Sequence, residues 1–164
     1  MRVNKGLMIA ATFDPTKRTS LITVADMCRK IEENSISLPL YQRDISWTLQ
    51  KCIDLLNYQL WGKAPVSPIS INVINTVDSA VPQVSFIDRE IISTIERGQY
   101  SVVDGQQRLT TNYKAYCNHD DFRNIVLDLG KGEFTEVRDS IRSNQIPVGI
   151  LLSLIHISEP TRRS

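Results

Sequence analysis

Cysteine is scarce in this chain and forms no pattern: Cys28, Cys52 and Cys117 are the only three among 164 residues. Their number is odd, no two stand as Cys-x-x-Cys, and each falls where a helix would bury a small apolar group. That argues against a disulfide scaffold or a cysteine zinc site and for structural thiols in a reducing compartment. Histidine is scarcer still, at two residues. No HExxH pair exists, and Ser-His-Asp or Cys-His catalysis lacks its base. His119, in the polar stretch Asn118-His119-Asp120-Asp121, reads as solvated. Neither GxxxxGK[ST] nor GxGxxG occurs, so the P-loop and the dinucleotide fingerprint are both missing. No apolar run is long enough to span a bilayer, and Leu7 to Ala11 is too short for a signal peptide. A cytoplasmic protein without a membrane anchor is the expectation. A formal net charge of +1 advertises no overall field for nucleic acid, although local basic patches remain open.

What is present is an ordinary globular composition, 41% hydrophobic and 23% charged, in a chain long enough for one domain with a core. Residues 1–20 carry little pattern and read as a flexible lead-in. Thr23 with Asp26 three residues on is a capping-box-like start, and Val24, Met27, Cys28 and Ile31 mark one apolar helix face. Pro39 holds Leu38 to Trp47 extended. Ser46 or Thr48 can cap a second helix, Leu49 to Leu60, with an inward stripe of Cys52, Leu55, Leu56 and Gln59 and Gly62 as its stop. Pro68 to Asn75 alternates as a strand, Val84 to Ile87 suits a hairpin strand, and Asp88 to Gly98 is ambiguous. Gln99 to Val103 is a strand, Gln106 to about Cys117 a helix, and Asn124 to Leu129 a strand broken by Gly130 and Gly132. Glu133 to Arg142 reads as a weak helix and Ile146 to Leu151 as a last strand. The class is mixed α/β (α+β) with sequential strand–helix units.

The densest chemistry lies in Asp104-Gly105-Gln106-Gln107-Arg108, placed between a strand and a helix. A turn of this kind aims free backbone N–H groups and the positive end of a helix dipole at one point, and Arg108 adds a fork of donors suited to phosphate. An ordinary tight turn with a solvated arginine is the plainer alternative, but two consecutive glutamines exceed what a turn needs. A second Gln-Arg pair, Tyr41-Gln42-Arg43, precedes the other helix start. If the two termini converge, they build an anion site, whereas Arg43 alone is also explained by an ion pair with Asp44 or Asp54. Asp104 suits a divalent ion or an oriented water, or simply a turn before glycine. Trp47 and Tyr41 fit either a core or a base-stacking platform.

Residues 152–164 read differently from the rest. Leu152 to Arg162 looks like the translation of a sequencing-library transposon adaptor, so the expectation is that the native protein continues differently after Leu151 and that His156 is no ligand or base.

Leu38-Pro39-Leu40-Tyr41-Gln42-Arg43-Asp44-Ile45-Ser46-Trp47 resembles the I-P-x-[FY]-Q-R-x-[FY]-x-W segment of a known family. Asp104-Gly105-Gln106-Gln107-Arg108-Leu109-Thr110-Thr111 is similar to its D-G-Q-Q-R-L-T-T signature. The family is the N-terminal domain of GmrSD-type restriction endonucleases, in the ParB/sulfiredoxin-like fold group. The resemblance spans about Thr23 to Leu151 and takes in Ile146-Pro147-Val148-Gly149-Ile150; Leu38 and Ile45 depart from the pattern by apolar exchanges. It implies a ParB-like nucleotide-binding domain over 21–151, truncated at its C-terminal side. It also implies binding and hydrolysis of a nucleoside triphosphate with Mg²⁺, coupled to modification-dependent (type IV-like) restriction of phage DNA. Asp104 and Arg108 become the catalytic residues, and Gln42, Arg43, Gly105, Gln106, Gln107 and Arg108 the nucleotide contacts. Asp104 is then the position for metal or water, and Arg43 the neutraliser of developing charge. DNA would be a partner of the full-length protein, and cleavage would fall to a nuclease domain or partner subunit, since no HNH-type motif is present in this chain. The rivals are a non-catalytic ParB-like module binding nucleotide or DNA, and a structural domain whose arginines are only ion-paired.

Overall fold

The computed structural model describes residues 21–43, 46–63, 68–78 and 80–151. The expected lead-in, the adaptor-like segment and Asp44 with Ile45 lie outside them. Thr23 starts helix α1 (Val24–Glu32) as a capping box: its hydroxyl accepts from the Asp26 amide at 3.1 Å and donates to the Asp26 carboxylate at 2.8 Å. Met27, Cys28 and Ile31 are buried, while Val24 at the open end stays exposed. Asn34, at φ 56°, turns the chain into strand β1 (Ile36–Pro39), all of it buried. The extended segment thus begins before Leu38, because Ile36 and Ser37 already pair with a neighbouring strand.

Thr48, rather than Ser46, caps helix α2 (Leu49–Leu60), and Gly62, at φ 64°, ends it in a Schellman turn with Lys63 N–H on Tyr58 O at 2.8 Å. Its buried face is Cys52, Ile53, Leu56 and Asn57: of the expected stripe Cys52 and Leu56 are buried, while Ile53 and Asn57 take the inward places expected of Leu55 and Gln59, which are only half-buried. Asn57 accounts for the rotation. Its side-chain amide donates to Phe134 O at 3.0 Å and accepts from Phe134 N–H at 2.6 Å, so a polar residue is held inside by a two-way bond.

Strands β2 (Ser70–Val73), β3 (Gln83–Val84) and β4 (Tyr100–Asp104) join β1 in a sheet of order β2-β4-β1-β3. The two central strands, β1 and β4, run parallel, with Ile36 opposite Tyr100 and Ser37 opposite Ser101; the outer pairings are antiparallel. The hairpin strand expected over Val84 to Ile87 is shorter, because Arg89, at φ 57°, reverses the chain and Ile92 N–H returns to Gln83 O at 2.9 Å. Helix α3 (Gln106–Tyr116) follows β4 directly. A short 3₁₀ turn, Asp120–Phe122, is capped by His119, whose Nδ1 accepts from Asp121 N–H at 3.2 Å. His119 is therefore a half-buried structural cap and not a solvated loop residue.

Strands β5 (Ile125–Asp128), β6 (Glu133–Glu136) and β7 (Gln145–Pro147) form a second, antiparallel sheet of order β6-β5-β7. Glu133 to Arg142 is not a helix: the Leu129–Gly132 turn folds the chain back and sets Phe134 opposite Leu127. Nor is Ile146 to Leu151 all strand, since β7 ends at Pro147 and helical backbone begins at Val148. Gly149 belongs there for a steric reason: a Cβ would stand 2.5 Å from Asn118 Oδ1.

The result is a mixed α/β architecture with one core under each sheet. Leu109 of α3 packs with Ile36, Leu38, Val84 and Val102 in one core; Ala115 of the same helix packs with Phe122, Ile125 and Phe134 in the other. Full burial of a side chain such as Phe122 stabilises by about 1.5–3 kcal/mol. Cys28 and Cys52 are buried as expected, but Cys117, at the exposed end of α3, is not. Among the described residues no helix is long and apolar enough to cross a membrane.

Asp128 ties the second sheet together. One carboxylate oxygen accepts from the amides of Gly130 at 2.9 Å and Lys131 at 3.2 Å and from Asn144 Nδ2 at 3.4 Å; the other accepts from Gln145 Nε2 at 3.2 Å. The bond from Gln145 foremost, then the Lys131 and Gly130 amides and the Lys131 charge, hold its pKa below the usual carboxylate range against an opposing desolvation. A depressed folded value means that the stabilisation is complete above the unfolded value of about 3.9 and is lost as pH falls through the folded one. Denaturant unfolding is expected to show Asp128→Asn less stable than the parent at about pH 6, with the gap closing toward about pH 2; a gap independent of pH contradicts the assignment.

Candidate functional site

Parallel pairing of β1 with β4 brings the C-terminal ends of both strands to the same edge of the sheet, and each end carries one of the two Gln-Arg motifs. Beyond β1 the chain turns, with Gln42 N–H on Pro39 O at 3.0 Å. The Gln42 side chain then reaches across to the end of β4, where Nε2 donates to Val102 O at 2.7 Å and Val103 O at 2.9 Å. A second tie joins the segment to α3: Trp47 N–H donates to Gln107 Oε1 at 3.1 Å. Together these enclose a pocket of about 360 Å³, a size that suits a small-molecule ligand.

All of the residues anticipated from the sequence line this one pocket: Gln42 and Arg43 on one side, Asp104 through Arg108 on the other. Trp47 lines it too while packing against the second core, so it serves wall and core at once. Tyr41 is 68% exposed and belongs to neither.

Gly105 makes the turn possible. It is the N-cap of α3 at φ 94°, in the left-handed region, and brings no side chain to satisfy the first-turn amides. A Cβ there would lie 3.0 Å from Ile69 Cγ1 and 3.3 Å from Arg108 Nη2. The missing side chain lets both close over the turn. Arg108 is held in place by Nη2 donating to Pro68 O at 3.1 Å, and its own carbonyl accepts from Asn112 Nδ2 at 2.8 Å.

The electrostatic balance of the lining is positive. Arg43 is exposed and does not pair with Asp54, whose carboxylate accepts from Gln50 instead. Asp104, exposed at the end of β4, is the single carboxylate of the lining among the described residues, set against two guanidinium groups and a helix N-terminus. Such a balance favours an anion. Among the described residues no three His, Cys, Asp or Glu side chains gather as a metal cage. One carboxylate does suit Mg²⁺ taken together with phosphate oxygens, the way this ion is usually held beside a nucleotide.

One contributor escaped the sequence. Arg89 donates through Nη2 to Gln42 O at 2.7 Å and, at 3.5 Å, to Leu40 O, bracing the Gln42 wall from behind. It sits in a charged stretch with no local signature, and only the return of the β3 segment beside β1 makes it relevant.

A family model, that of the GmrSD restriction endonuclease N-terminal domain, matches residues 24–154. The match begins at the first residue of α1 and takes in both motifs. No curated protein matches the chain. The chain belongs to the GmrSD restriction endonuclease N-terminal domain family.

Gly105→Ala is expected to cost about 1–3 kcal/mol in denaturant unfolding, from backbone strain and the Ile69 contact together. Gly132, at φ 67° with nothing near its missing Cβ, isolates the strain. The Gly105 variant should lose more than Gly132→Ala; equal losses would mean that the close approach at Gly105 carries no weight.

Proposed function

We propose that this pocket binds the phosphate chain of a nucleoside triphosphate and hydrolyses it, as the N-terminal module of a modification-dependent restriction or anti-phage protein. The observation carrying the reading is the convergence of Arg43 and Arg108 with the N-terminus of α3 in one pocket built by two distant segments. Two guanidinium groups and a helix terminus answer a multiply charged anion better than a monoanion. In this reading Arg108 and the amides of Gly105 to Gln107 hold phosphate oxygens. Arg43, on the opposite wall, neutralises charge that develops as the terminal phosphoryl group leaves. Gln42 and Gln107 act mainly as ties that fix the distance between the walls, since their side chains are engaged with backbone groups. Asp104 orients the attacking water or holds Mg²⁺, which when bound supplies neutralisation of the phosphate charge.

A non-catalytic module, reading nucleotide as a regulatory ligand, has one observation on its side: among the described residues the lining contains a single carboxylate and no histidine to act as a base. Binding without turnover would select it. Cleavage of DNA belongs, in either reading, to another part of the assembled restriction protein.

Calorimetric titration with each of the four ribonucleoside triphosphates and Mg²⁺, alongside release of inorganic phosphate, tests the proposal. Arg108→Ala is expected to weaken binding by about tenfold or more, the equivalent of one charge-assisted hydrogen bond, and to abolish turnover. An Arg108→Ala protein that binds and hydrolyses like the parent overturns the reading.

A further inference from the structure

We infer that Arg89 is a positioning residue of this site, the brace that sets where the Gln42–Arg43 wall stands. The inference extends the phosphate-site reading to a residue outside both motifs and rests on that reading only for its ligand arm. Three observations carry it. First, the loop bearing Arg89 is itself anchored: Ser85 N–H donates to Glu90 O at 2.9 Å, Glu90 N–H to Ser85 Oγ at 3.1 Å, and Phe86 is buried in the first core. Second, Arg89 holds a left-handed backbone at φ 57°, a conformation disfavoured for a side chain of this size. That conformation directs the guanidinium to the main-chain carbonyls of Gln42 and Leu40. Third, Arg89 Nη1 and Gln42 Oε1, a donor and an acceptor on the two sides of the brace, are both buried there, without a hydrogen-bond partner among the described residues.

The consequence is that Gln42 is held at two points. Arg89 takes its carbonyl, and its side chain is fastened to the end of β4. Arg43, the next residue, then has its place relative to Arg108 set through the backbone that Arg89 holds. Both carbonyls are taken by the one nitrogen Nη2, chiefly that of Gln42 at 2.7 Å, so a lysine ammonium, which carries three donors on a shorter reach, can replace part of the contact.

The test combines hydrogen–deuterium exchange with calorimetric titration of inorganic triphosphate on the parent, Arg89→Met and Arg89→Lys. Arg89→Met is expected to speed exchange at Leu40–Arg43 while α2 and β5 keep the parent rates, and to weaken triphosphate binding about tenfold. Arg89→Lys should restore part of both. Parent-like exchange at Leu40–Arg43 with parent-like affinity overturns the inference, as does a uniform acceleration over both sheets. Should Arg89→Met not fold, Arg89→Lys decides in the same way: faster exchange confined to Leu40–Arg43 supports the brace, and none overturns it. A parent that does not bind triphosphate refutes the proposed function, while the exchange arm still decides the role of Arg89.

Discussion

The parallel pairing of β1 with β4 is the constraint on which the rest of the site depends. Two segments more than half the sheet's sequence span apart reach the same edge only because their strands run in the same direction side by side. Ligands of open α/β sheets characteristically gather beyond the carboxyl ends of such strands, where the chain turns out of the sheet. Here both central strands end in a Gln-Arg motif, and one of them continues at once into a helix. An antiparallel pairing would have put Arg43 and Arg108 at opposite edges. Burial of Ile36, Leu38 and Val102 in the core beneath this sheet fixes the register, because a slip by one residue would turn these side chains to the other face.

Around that pair, two walls that each carry an arginine line one pocket. Arg43 and Arg108 face the same pocket, and side-chain ties fix the segments that carry them. Those ties are the side-chain bonds of Gln42 and Gln107, the contact of Arg108 with Pro68, and the grip of Arg89 on Gln42. The neutral bonds among them contribute on the order of 1 kcal/mol each and those from the guanidinium groups about 1.5–3 kcal/mol, and together they set the distance between the walls. In the proposed function, an anion bound there would raise the stability of the fold by mass action. Helix α3 transmits the arrangement inward, its N-terminus at the pocket and its two ends packed into different cores.

Much of this was legible in the residues. Thr23 with Asp26, Thr48 and Gly62 announce helix ends through local hydrogen bonding, and local chemistry decides caps. Asp104 to Arg108 reads as a strand-to-helix turn because glycine alone suits the φ of 94° found there. Legibility failed where pairing partners decide. Glu133 to Glu136 is strand because β5 lies beside it, and its charged, weakly patterned sequence carries no such message. The inward face of α2 turned toward Asn57 because Phe134, 77 residues on, offers both a donor and an acceptor. Arg89 was invisible for the same reason, since its meaning lies in carbonyls 47 and 49 residues earlier. The seven motif residues, by contrast, were found together, because the chemistry they share with one family is written contiguously.

The most direct test of the account is a backbone amide NMR titration with a Mg²⁺-loaded nucleoside triphosphate. The account predicts that the amides of Gly105 to Arg108 and those of Gln42 and Arg43 shift together, with one saturation curve, while β5 to β7 stay unmoved. Shifts confined to one of the two segments, or centred on the second sheet, would contradict the claim that two parallel strand ends build a single anion site.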